Sequence, residues 1–128
     1  MTRTRPTRDG NTANFSKAIR AGEFIYVSGQ ASVNDYGKIV PGTFAEEMHR
    51  SIENVRDILA EFNLDLTEVV KVNAYVQNPA DLAEYNLLYR EFFSPPLPAR
   101  TTITNCLTDA IKFEIDVVAY AGTSHAIT

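Results

Sequence analysis

From position 44 to 62 apolar residues return every three or four places, at Phe44, Met48, Ile52, Val55, Leu59 and Phe62. That spacing lays them on one stripe of an α-helix. Thr43-Phe44-Ala45-Glu46 has the form of a capping box that opens it, and Asn63 can close it in a left-handed turn. The stripe reads as a core face. A two-residue alternation takes over at 69–77, with Val70, Val72, Ala74 and Val76 on one side, and predicts a half-buried strand. Positions 24–28, Phe-Ile-Tyr-Val-Ser, are dense in β-formers and predict another. Gly29 is expected to end it, where backbone can bulge or approach a ligand closely.

The remaining stretches fit around these. A short strand is expected within 15–20, turning at Ala21-Gly22, and Asn34-Asp35-Tyr36-Gly37 is a turn signal. Asn78-Pro79 opens a second helix with Leu82, Tyr85/Asn86, Tyr89 and Phe92/Phe93 on its apolar stripe, stopped by Ser94-Pro95-Pro96. Strands follow over 100–106 and 111–120. Residues 1–14 read as irregular and 122–128 as a tail, so 1–128 forms one domain. The order ββαβαββ, with two amphipathic helices for one face of a mixed sheet, predicts an α+β sandwich. In the last strand Phe113, Ile115, Val117 and Ala119 then lie under the helices, and Lys112, Glu114, Asp116 and Val118 point away. That second face is half polar, and is expected to meet another subunit.

Composition narrows the function. At 128 residues with a net charge of -4, the chain has no global field that draws it to nucleic acid. The basic residues Arg3, Arg5, Arg8, Lys17 and Arg20 read as a solvated N-terminus. Cys106 is the single cysteine, so no internal disulfide is possible, and a buried apolar role is expected for it. His49 and His125 lie far from it in sequence, which speaks against a zinc site. No apolar run approaches a membrane span or a signal peptide, and a cytoplasmic location is the default expectation.

The candidate chemistry lies in Pro98-Ala99-Arg100-Thr101-Thr102 and the strand after it. An arginine held by a proline-rich turn is a natural clamp for a substrate carboxylate, its planar fork giving two parallel hydrogen bonds. Glu114, on the adjoining strand, can handle protons or orient a water. An equally simple reading of Arg100 is an ion pair with Glu114 or Asp116, and of Glu114 a salt bridge with Lys112.

Tyr26-Val27-Ser28-Gly29-Gln30, Ser51-Ile52-Glu53-Asn54-Val55, the 85–93 stretch from Tyr85 to Phe93, Pro98-Ala99-Arg100-Thr101-Thr102 and Phe113-Glu114-Ile115-Asp116 resemble the Rid family of enamine/imine deaminases, also described as L-PSP endoribonucleases. The resemblance covers nearly the whole chain. It implies a chorismate-mutase-like two-layer protomer and a homotrimer with clefts between subunits. It further implies that Arg100 binds a substrate carboxylate and that Glu114 activates or positions water. Ser28 and Gly29 would line the cleft, with Asn86 and Tyr89 beside it, and no cofactor is required. Three departures stand out. Thr102 replaces the usual cysteine two residues after the arginine, Phe15 replaces a tyrosine, and the loop between Arg100 and Glu114 is about one residue short. The implied activity is conversion of a 2-aminoacrylate or 2-imino acid to a 2-keto acid and ammonia. The alternatives are a deaminase of a larger aminomuconate-type compound and a non-catalytic carboxylate-binding protein.

Overall fold

The structure is a computed structural model that describes residues 3–4 and 14–122. The basic positions Arg5 and Arg8, His125, and the tail beyond Gly122 lie outside the described residues. Eight main elements follow in order: β1 (Arg3–Thr4), β2 (Ala18–Ala21), β3 (Phe24–Ala31), α1 (Phe44–Ala60), β4 (Val69–Val76), α2 (Leu82–Phe92), β5 (Ala99–Thr104) and β6 (Phe113–Tyr120). They build the α+β sandwich expected, a mixed sheet in the order β1-β2-β3-β6-β4-β5. Its one parallel pair is β4 with β5, joined by the α2 crossover. One part of the segment expected to be irregular is a strand, since Arg3 and Thr4 pair with Ala21 and Arg20.

Helix α1 forms as its pattern dictates. Thr43 accepts from the Glu46 backbone while the Glu46 side chain accepts from that of Thr43, satisfying two donors at the helix start. Asn63, at φ 62°, takes the left-handed conformation after its end. Phe44, Met48, Ile52, Val55 and Leu59 are all buried against the sheet, with Ile25, Val27, Ile115 and Val117 in the same core. Asn54 ties the helix to the end of β3, its amide donating to the carbonyls of Ala31 (3.2 Å) and Val33 (3.1 Å). Glu47, only 1% exposed, accepts from the Gly42 backbone, from the Lys112 backbone and from Lys112 Nζ. A buried carboxylate is tolerated because its lone pairs are used. It also claims Lys112, which was expected on the Glu114 face.

Strand β6 is central, and its alternation holds: Phe113, Ile115, Val117 and Ala119 are buried, and Glu114, Asp116 and Val118 turn away. Both neighbours bulge against it. On β3, Val27 pairs with Val117 but Gln30 with Ile115, so one extra residue is inserted at Ser28-Gly29. The strand therefore continues through Gly29 to Ala31 rather than ending there. On β4, Val69 pairs with Ala119 and Lys71 with Val118. The inserted Val70 is displaced to the surface, and Val69 takes the core position assigned to Val70.

No helix among the described residues is long and apolar enough to cross a membrane. Ile52 has no exposure. Ile52→Ala is expected to lower unfolding free energy by about 2–5 kcal/mol, read from denaturant titration.

Candidate active site

The helix-facing side of β5 carries Arg100 and Thr102, because they pair in parallel register with the buried Val72 and Ala74. Helix α2 presents Tyr85 and Tyr89, one turn apart, to the same place. The Arg100 guanidinium carbon lies 4.9 Å from the Tyr85 ring centre and 4.7 Å from that of Tyr89. Two aromatic faces thus hold the cation without neutralising it. Among the described residues no carboxylate oxygen lies within 4.0 Å of it, so the ion pair with Glu114 or Asp116 is not formed. Thr102 Oγ1 is 2.8 Å from the Tyr85 hydroxyl, which fixes one of the two stacking rings. The Tyr89 hydroxyl is buried without a hydrogen-bond partner among the described residues, and burial, then the charge of Tyr85, pushes it up to about 12. Asn86, Tyr89, Arg90, Leu97, Pro98 and Arg100 line a hollow of about 300 Å³.

Glu114 is on the other side of the sheet. It pairs with Tyr75 of β4, and Asp116 with Asn73, both on the face away from the helices. A second hollow of about 440 Å³ is lined there by Phe15, Val27, Ser28, Gly29, Glu114 and Asp116. The Glu114 carboxyl rests on the bulge: a Cβ on Gly29 would collide with Glu114 Oε2, so a side chain there would force the carboxyl to shift. Ser28 Oγ donates to the Ser16 carbonyl at 2.6 Å, which anchors the segment carrying Phe15 at the rim. Phe15 is 64% exposed, an uncovered apolar wall. Burial, and secondarily the Asp116 charge, raises the Glu114 carboxyl above its ordinary range.

The eight residues expected at the site therefore fall into two groups on opposite faces. Arg100, Thr102, Asn86 and Tyr89 form one; Glu114, Ser28, Gly29 and Phe15 form the other. Two contributors were not legible as site residues. Tyr85 read as a stripe residue, although its spacing from Tyr89 was a signal for a paired platform. Asp116 was placed on the correct face, but its partners across the sheet were not foreseen. Cys106, expected to be buried, is exposed in the 105–112 loop. A larger concavity, about 760 Å³ between the 33–35 turn and the outer side of α1, holds none of the eight residues.

Two measurements test this geometry. Because the Glu114 carboxyl is raised on folding, the native state holds its proton more tightly than the unfolded chain. Its ionisation therefore removes stability as pH rises from the ordinary carboxylate range through the raised value. Glu114→Gln is expected to raise the thermal midpoint at pH 7, with a gain that shrinks as pH falls through that window. Thr102→Val leaves the Tyr85 hydroxyl unpaired and is expected to lose about 1 kcal/mol in denaturant unfolding, whereas Thr102→Ser keeps the bond.

Residues 6–121 match the family model described as Endoribonuclease L-PSP. Over 108 residues the chain is 37% identical to a RutC family protein of Pyrococcus abyssi, covering 83% of this chain and 85% of that protein. Over 110 residues it is 33% identical to a protein of Rattus norvegicus named 2-iminobutanoate/2-iminopropanoate deaminase, covering 84% of this chain and 80% of the relative. The crystal structure of yeast Mmf1 superposes with a TM-score of 0.84 at 32% identity, covering 94% of this chain and all of that one. With nearly its whole length matched in sequence and fold, this chain belongs to the Rid/L-PSP family.

Proposed function

We propose that this protein is a hydrolytic deaminase of small 2-imino acids and their 2-enamine tautomers, acting as a homotrimer in clefts shared between subunits. The observation that carries the reading is the Arg100 guanidinium, stacked on two rings and free of any carboxylate among the described residues. It has its hydrogen-bonding fork available for a substrate carboxylate. The separation of the two hollows supports a shared cleft, since Arg100 and Glu114 lie on opposite faces of one sheet and meet only if a second copy brings its Glu114 face to the Arg100 edge. The open face also exposes Phe24, Tyr26 and Ile103, apolar area suited to burial against another copy.

The chemistry is short. Arg100 holds the carboxylate and orients the C=N carbon. Glu114 accepts a proton from a water as its oxygen bonds to that carbon, and the imine nitrogen takes up a proton from bulk water. The resulting carbinolamine loses ammonia: Glu114 gives its proton to the leaving nitrogen, then takes the hydroxyl proton as that oxygen becomes the keto oxygen, and releases it to bulk water. The sum is imino acid plus water to keto acid plus ammonia. Positioning and charge placement supply the acceleration. The rat relative's name supports this class of substrate.

Freshly generated 2-aminoacrylate, with semicarbazide trapping of the residual imine, tests the reading. Wild type is expected to accelerate keto-acid release over buffer, and Arg100→Ala to lose roughly a hundredfold or more in kcat/KM. Arg100→Lys, without the planar fork, is expected to recover only part of this. No acceleration by folded, trimeric wild type on this or a larger amino-dienoate substrate overturns the reading in favour of a binding protein.

A further inference from the structure

Asp116 has no part in the reaction just described, yet it is the most firmly held side chain in the Glu114 hollow. Asn73 Nδ2 donates to its Oδ1 at 2.9 Å, and the Tyr75 hydroxyl donates to its Oδ2 at 2.7 Å. These donors come from β4, so three strands meet at the site: β6 supplies both carboxylates, β4 clamps one of them, and the β3 bulge supports the other. Such a clamp is costly to build on a sheet face unless the charge it holds has a use, because two side chains must be ordered to fix one carboxylate.

We propose that Asp116 is a positioning residue for Glu114: pinned by Asn73 and Tyr75 two residues along the same strand face, it is a fixed anion that leaves Glu114 as the group in this hollow that takes up and releases a proton. This rests on the deaminase reading of the site and names the device that tunes its base.

The surroundings of Glu114 are consistent with this. From its own strand it faces Asp116. From β4 it faces Tyr75, whose hydroxyl is pushed up to about 12, chiefly by donating to Asp116, and so keeps its proton. From β3 it meets Gly29, and from the preceding segment Phe15, neither of which titrates. Among the described residues no Lys, Arg or His nitrogen lies within 4.0 Å of it. Asp116 is therefore the neighbouring charge that raises Glu114 beyond what burial does. An unpinned aspartate would be free to swing away. The pinned one is held in place along the strand face from Glu114.

The test separates the device from the reaction. In ligand-free protein, the Glu114 side-chain carboxyl carbon is titrated by NMR in wild type, Asp116→Asn and Tyr75→Phe. In parallel, kcat/KM for a 2-imino acid is followed against pH. Asp116→Asn is expected to shift the Glu114 midpoint to lower pH, and the acid limb of the kcat/KM profile by the same interval. Tyr75→Phe releases one oxygen of Asp116 and is expected to make the Glu114 titration broad, because the two carboxyls then share protons. A Glu114 midpoint unchanged in folded Asp116→Asn overturns the proposal. If Asp116→Asn does not fold, a sharp, unshifted Glu114 titration in Tyr75→Phe overturns it instead. A midpoint that moves in a protein whose wild type deaminates nothing upholds the positioning role and sinks the deaminase reading alone.

Discussion

The alternation of side chains along β6 is the constraint on which the rest depends. Each residue of a strand faces opposite its neighbours, so a single eight-residue segment seals the core with Phe113, Ile115, Val117 and Ala119 and raises Glu114 and Asp116 on the other side. Neither task can be altered without the other, because a slip of one residue would bury the carboxylates and expose the core. The helices hold that register. Helix α1 covers the apolar side, and Glu47 grips the Lys112 backbone where β6 begins. The bulges on β3 and β4 then shape the open face without disturbing β6 itself.

Two carboxylates near β6 illustrate how environment assigns roles. Glu47 is more deeply buried than Glu114, yet it is surrounded by three donors and behaves as a structural latch. Glu114 is half-buried, has a like charge for a neighbour and, among the described residues, no cation within 4.0 Å, and its proton affinity is raised. Reactivity follows from unmet interactions rather than from depth.

The same principle applies to Arg100. Its position on the edge strand β5 leaves it uncovered by further strands, and its stacking on Tyr85 and Tyr89 fixes the cation by contacts that do not consume its hydrogen-bonding capacity. The Thr102 hydroxyl, where the family resemblance led to an expected cysteine, is engaged in holding Tyr85. In this chain that position holds one of the two rings on which the guanidinium is stacked.

The α1 stripe from Phe44 to Leu59, the Thr43 capping box, the Asn63 turn and the division of β6 into two faces were all legible from periodicity and local hydrogen-bonding chemistry, because those rules act within a few residues. The opposite placement of Arg100 and Glu114 was not, because it depends on β4 lying between β5 and β6 and on the register of each pair. The Val69/Val70 exchange, the use of Lys112 by Glu47 and the exposure of Cys106 escaped for the same reason: each turns on one inserted residue or on a partner dozens of positions away. The clamp on Asp116 joins residues 73, 75 and 116, which only the sheet brings together. Local sequence determined which segments are helix and strand and which way their faces divide; only the tertiary pairing decided which charges meet, since charge contacts are set by strand order and register, which no short window of sequence contains.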